Sequence, residues 1–202
     1  MITITAFDYP TSIHVRRHGP AGYSTYEPYR EWLRDEFDYR CVFCLQREQW
    51  CRLQASFHID HFVPQAISPD LACEYDNLLY VCASCNSVKS DLKVPNPCEI
   101  AFGACVAVLQ DGTIEALNTM GELLIELLRL DDPPMNAYRK RWLETWRALI
   151  STGNTEAYNE WMKYPEDLPN LDKKQAPDNS RLDGIRESAL ARKSRGELPD
   201  VY

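Results

Sequence analysis

Two CxxC pairs, Cys41–Val42–Phe43–Cys44 and Cys82–Ala83–Ser84–Cys85, bracket the run His58–Ile59–Asp60–His61–Phe62–Val63–Pro64. Paired CxxC knuckles have the ligand count and spacing of a four-thiolate zinc site. A structural zinc holds its loops rigid, so whatever lies between the knuckles is placed accurately. What lies there is an Asp–His pair, which offers a hard oxygen ligand and an imidazole base side by side. A metal staple around an acid–base pair suggests a small metal-dependent hydrolase.

The order of these residues resembles a known family. CxxC is followed by Asp60–His61–x–x–Pro64, by Asn77 in Tyr75–Asp76–Asn77–Leu78, and by the second CxxC with Asn86–x–x–Lys89. Over roughly residues 29–93 this resembles the HNH endonucleases with the ββα-metal fold, in their four-cysteine, zinc-stabilised form. His61 matches the first His of the motif, Asn77 the central Asn, and Asn86 the third position, usually His. The HNH domain of the RNA-guided CRISPR nucleases also carries Asn there, after a similar DHxVPQ segment. The resemblance implies an endonuclease that hydrolyses phosphodiester bonds in nucleic acid, DNA foremost. It assigns the general base to His61, and Asn77 orients that ring through a side-chain–backbone hydrogen bond.

Phosphodiester hydrolysis needs an activated water in line with the leaving oxygen and positive charge on a crowded anionic transition state. One Mg²⁺ held by one or two protein ligands supplies that charge. The Asp60 carboxylate and the Asn86 amide oxygen suit Mg²⁺ or Mn²⁺ better than zinc. His61 falls on the opposite side of the strand from Asp60, and an imidazole, with an ordinary pKa of ~6.5, suits a base working near neutrality. His58 shares the Asp60 side of the strand, as a further ligand, an outer donor or a structural histidine. Lys89 lies one helical turn after Asn86 on the same face, for phosphate or for solvent.

Composition sets bounds on this reading. The chain has 202 residues, is 45% hydrophobic and 11% aromatic, and carries a formal charge of −8. That charge cuts against a protein that grips nucleic acid unaided, since Lys and Arg on phosphates supply much of such affinity. A nucleic-acid substrate together with a protein partner that supplies the grip is therefore expected. A restriction or phage-defence complex of bacteria is the setting suggested by analogy. Met1–Tyr9 has neither a basic start nor a long apolar run, so the expectation is a cytoplasmic protein without a membrane span. Cys51, Cys73, Cys98 and Cys105 lack CxxC spacing and read as small apolar fillers. Two other readings compete: a zinc-stabilised binding or interaction module without activity, favoured by Asn86 and the acidity, and a redox protein built on the CxxC pairs. The second lacks a βαβ pattern and leaves Asp60–His61 unexplained.

The elements around the motif give an α+β class. Residues 1–23 read as an irregular arm with a basic patch, His14, Arg16, Arg17 and His18. Ser24–x–x–Glu27 fits a capping box for a helix burying Tyr29, Trp32, Leu33 and Phe37. Within 24–93, strands at Phe57–Val63 and Leu78–Val81 and a helix from Ser84 or Cys85 to Leu92 give the ββα order that the resemblance implies. Residues 94–164 read as an extension: Gln110–Asp111–Gly112 between apolar runs marks a hairpin. Helices follow over Met120–Leu128 and Met135–Ile150, and one capped by Asn154. Arg139, Lys140, Arg141 and Arg147 form a basic run, for solvent or for phosphate. Residues 165–202, polar and Pro-containing, read as a flexible tail or one ordered against a partner.

Overall fold

Ser24 and Glu27 do not cap a helix directly. In the computed structural model, which describes residues 4–51 and 56–202, the arm ends in strand β1 (Pro20–Ala21) and a 3₁₀ turn, Glu27–Tyr29, follows. Helix α1 then runs Arg30–Glu36, without a side-chain cap. Pro28 sits in that tight turn, where its missing N–H costs nothing. Tyr29, Trp32, Leu33 and Phe37 are all buried, as their spacing predicts.

The central unit has the expected strand–loop–strand–helix order. Strand β2 (Phe57–His61) pairs antiparallel with β3 (Leu78–Cys82), placing Asp60 opposite Leu79 and His61 opposite Leu78. All of β3 is buried because both α1 and α2 (Ala83–Lys89) pack against it. Helix α2 stops at Ser90, whose φ of +44° no right-handed helix can contain, so it is shorter than its sequence pattern predicts.

Strands β4 (Val106–Val108) and β5 (Ile114–Ala116) form the hairpin expected around Asp111–Gly112. Gly112 has φ +89°, and a Cβ there would lie 2.4 Å from the Lys140 backbone nitrogen, so glycine is required twice over. Helices α3 (Thr119–Leu128), α4 (Pro133–Ser151) and α5 (Thr155–Met162) follow. Asn118 and Asn154 cap α3 and α5 by accepting from the Gly121 and Ala157 amides. Buried side chains form one continuous cluster from Ile4 and Phe7 through Trp32, Phe43, Trp50 and Leu79 to Leu124, Leu143 and Trp146. No helix among the described residues is long and apolar enough to cross a membrane.

Two expectations about the ends need correction. The segment 165–202 is not a free tail: β6 (Asp178–Asn179) pairs with β1, and Tyr202 stacks on Tyr164 at 4.3 Å. Helix α6 (Ala189–Ser194) is docked through its first amide, Ala189 N, which donates to Asp35 Oδ1 at 2.7 Å. Several of its anchors are polar and backbone groups that leave no apolar pattern in the sequence, although Leu171 of the same segment is buried in the core. Nor is the basic patch of the arm left for solvent or phosphate. His18 is buried against Asp35 at 2.8 Å, Arg17 holds the Glu36 carbonyl and Asp38, and Arg16 donates to the Leu78 carbonyl. Of the α4 run, Arg139 is buried on the Gly112 and Leu130 carbonyls and Arg147 holds Gln110, whereas Lys140 and Arg141 are exposed.

Glu36 is the hub of the arm. Its buried carboxylate accepts from the Arg17 and His18 amides at 2.9 Å each and from the Tyr75 hydroxyl at 3.1 Å, and lies 2.8 Å from His14 Nε2. Burial pushes this carboxyl up, but the His14 contact and the backbone donors outweigh it and bring it down to about 2 from 4.5. A depressed carboxyl stabilises the fold above its unfolded value and loses that contribution as pH falls through the folded value. The drop corresponds to about 3 kcal/mol. Glu36→Gln should therefore lower stability in chemical denaturation at pH 7 by that order, and the gap to wild type should narrow between pH 5 and pH 2. A gap that stays constant over that range contradicts the assignment.

Candidate active site and its metal-binding cysteines

Each knuckle is shaped by local backbone chemistry. In the first, the Cys41 amide donates to Gln46 O at 2.8 Å and Leu45 takes φ +61°, folding the loop so that Cys41 and Cys44 face together. In the second, Cys82 is the cap of α2 and its Sγ accepts from the Cys85 amide at 3.5 Å. Val42 N donates to Tyr80 O at 3.1 Å, fastening the first knuckle to β3. The buried sulfurs of Cys41, Cys44, Cys82 and Cys85 all lie within 4.8 Å of one another, with Cys44 and Cys82 3.6 Å apart. A tetrahedron with Zn–S near 2.3 Å has S–S edges of about 3.8 Å, so the four cysteines are positioned to bind a metal ion of that kind. Cys51, Cys73, Cys98 and Cys105 stand outside the cluster.

Asp60, His61, Asn86 and Asp91 line one open cleft of about 270 Å³, together with Gln65 and Ser90. The sequence brought three of these four forward. Asp91 was missed because a helix continuing to Leu92 would put it well off the Asn86 face; the turn at Ser90 brings it in instead. His58 is not in this cleft. It lies exposed in an adjoining groove with Tyr26 and Arg30.

The His61 ring is held on one side. Its Nε2 is 3.0 Å from the Ala72 carbonyl, which can only accept, a contact that assigns the ring hydrogen to Nε2 and leaves the lone pair on Nδ1. The Gln65 amide lies 2.9 Å from the same Nε2, and Tyr26 packs edge-on against the ring at 4.8 Å. Asn77 acts at one remove. Its Oδ1 accepts from Val63 N at 2.8 Å, and its Nδ2 donates to the Val63 and Leu71 carbonyls at 3.1 Å each. Asn77 thus clips together the two ends of the loop that presents the Ala72 carbonyl to His61.

Lys89 neither reaches into solvent nor stands ready for phosphate. Its ammonium is fully buried, 3.0 Å from Asp60 Oδ2, and donates to Asp60 Oδ1 at 3.2 Å and to the His61 carbonyl at 2.9 Å. Asp60 Oδ2 is buried yet has no donor aligned on it, so lone pairs of this carboxylate remain for another cation. Burial pushes the Asp60 carboxyl up, and the Lys89 charge offsets only part of that. Removing one partner of a buried ion pair leaves the other uncompensated and costs about 3–5 kcal/mol. Lys89→Met should lose stability of that order in chemical denaturation, and adding Asp60→Asn should recover part of it. A loss under about 1 kcal/mol, with no recovery in the double variant, contradicts the pairing.

A search of curated proteins finds no match to the chain. Residues 41–92 match the family model of the HNH endonucleases, a span that begins at the first knuckle and includes β2, β3, the second knuckle and α2. Over residues 41–92 the chain thus carries a domain that matches the HNH endonucleases, with four cysteines positioned to bind a metal ion and an Asp–His pair on the strand between them.

Proposed function

We propose that this protein is a metal-dependent endonuclease that hydrolyses phosphodiester bonds in nucleic acid, DNA foremost. The observation that carries the reading is the convergence of Asp60, His61 and Asn86 on one open cleft, with His61 held by the Ala72 carbonyl so that Nδ1 is basic. In this reading Cys41, Cys44, Cys82 and Cys85 hold a structural zinc. Asp60 and Asn86 hold Mg²⁺ or Mn²⁺, a fit supported by hard oxygen donors and the unaligned Asp60 Oδ2. When bound, that ion offsets negative charge on the phosphate and the leaving oxygen.

The protein's own part is positional and basic. His61 Nδ1 takes the proton of a water whose oxygen bonds to phosphorus, while the bond from phosphorus to the leaving sugar oxygen breaks and that oxygen takes a proton from solvent water. Asn77 fixes the loop that orients His61, and Lys89 keeps Asp60 in place. The acidity of the chain supports a partner that supplies much of the grip on nucleic acid, and a bacterial restriction or phage-defence complex is a setting of that kind. One observation favours a second reading, a zinc-stabilised binding module without activity: an ammonium already neutralises Asp60.

Incubation of the purified protein with plasmid, linear and single-stranded substrates separates the two. Cleavage is expected with Mg²⁺ or Mn²⁺ and lost in EDTA. His61→Ala should cut the rate by ~10²–10⁴ while zinc content and thermal stability hold. Equal cleavage by His61→Ala and wild type, or none by either in any metal, overturns the nuclease reading.

A further inference from the structure

The cations that the sequence offered for phosphate contact are largely spent inside the molecule. Arg16, Arg17 and His18 hold α1 and β3, Arg139 and Arg147 hold the β4–β5 hairpin, and Lys89 holds Asp60. Beside the cleavage cleft lies a further cationic surface, whose arginine is itself anchored to the sheet. A second groove, of about 210 Å³, is lined by Tyr26, Glu27, Arg30, His58 and Ile59, and Ile59 also lines the cleft. Tyr26 joins the two as well, since it packs against the His61 ring at 4.8 Å.

Three features of this groove suit a polynucleotide strand. His58 is exposed on β2 two residues before Asp60, and at ~3.3 Å per residue that is about 7 Å away, comparable to the separation of neighbouring phosphates on one strand. Arg30 is set in position by the sheet: its Nη1 donates to the Phe57 carbonyl at 3.0 Å and its guanidinium lies over the Tyr80 ring at 5.8 Å. Tyr26 presents an aromatic ring at the junction, the kind of surface on which bases or sugars pack irrespective of sequence. Glu27 is the one acidic residue of the lining, and its carboxylate is engaged by the Thr25 side chain.

We propose that this groove is the subsite for the nucleotide next to the scissile phosphate, with Arg30 and His58 on its phosphate and Tyr26 against its base or sugar. The inference rests on the nuclease reading and adds to it the path of the cleaved strand. It also gives His58 a role away from the metal.

The test is fluorescence anisotropy of labelled single-stranded and duplex DNA, titrated with full-length protein in a His61→Ala background across a NaCl series from low salt. Arg30→Gln should weaken binding about tenfold and lower the slope of log K against log salt by about 0.7–0.9. His58→Asn should do the same more weakly. Glu27→Lys, a change at an exposed position, should tighten binding and steepen the slope, a gain that misfolding cannot produce. Arg30→Gln and Glu27→Lys both binding as the parent does, with the same slope, overturns the groove while leaving the nuclease reading intact. No binding by the parent, together with no cleavage by wild type, overturns both.

Discussion

Four sulfurs within 4.8 Å of one another in a buried pocket cannot all carry charge unless a cation joins them. The cysteines respond to that crowding in opposite directions. Hydrogen bonds from Cys41, Cys44 and Cys85 pull the Cys82 thiol down, while the same cluster pushes Cys44 and Cys85 up. A divalent ion would gather all four sulfurs as thiolates and release their protons. The central unit hangs on this point. The knuckles close both ends of the chain that carries β2 and β3, and the Asp60–His61 pair sits on β2 within the span they enclose.

The outer shell serves the same end with charge instead of sulfur. Glu36 and Asp35, at the end of α1, gather the N-terminal arm on one side and the amide of Ala189 on the other. Arg181 of the C-terminal segment grips Asp76 with both arms, at 2.9 and 2.8 Å, and Asp76 precedes Asn77, the residue that clips the His61 loop. Both ends of the chain thus brace the back of the candidate site. This ordering engages many of the basic residues internally, and Arg30, itself bonded to the Phe57 carbonyl, lines with His58 the groove beside the cleft.

Much of the site was legible because metal ligation and the Asp–His pair write strict spacings into the chain. The two CxxC pairs, Asp60, His61, Asn77 and Asn86 were all nameable from their order, and the ββα sequence around them followed. What was not legible depends on contacts far apart in sequence. Lys89 has the same helical phase whether it faces solvent or a buried carboxylate, and only the packing of α2 on β2 decides between them. The turn at Ser90 that admits Asp91 to the cleft has no glycine to announce it. The C-terminal segment is held by amides and ion pairs as much as by buried side chains such as Leu171, so its polar, Pro-containing composition suggested flexibility where the structure shows packing. His58 looked like a neighbour of Asp60 by strand period, yet it opens into the adjoining groove.

The proposed function assigns the chain two metal sites of different character, one of thiolates for the fold and one of oxygen donors for chemistry. Zinc quantified by elemental analysis, alongside Mn²⁺ binding followed by electron paramagnetic resonance, in wild type and Asp60→Ala, tests that division most directly. One zinc per chain is expected in both proteins, with a weak, exchangeable Mn²⁺ site that Asp60→Ala removes. Mn²⁺ binding unchanged by Asp60→Ala, or zinc absent from well-folded wild-type protein, would contradict it.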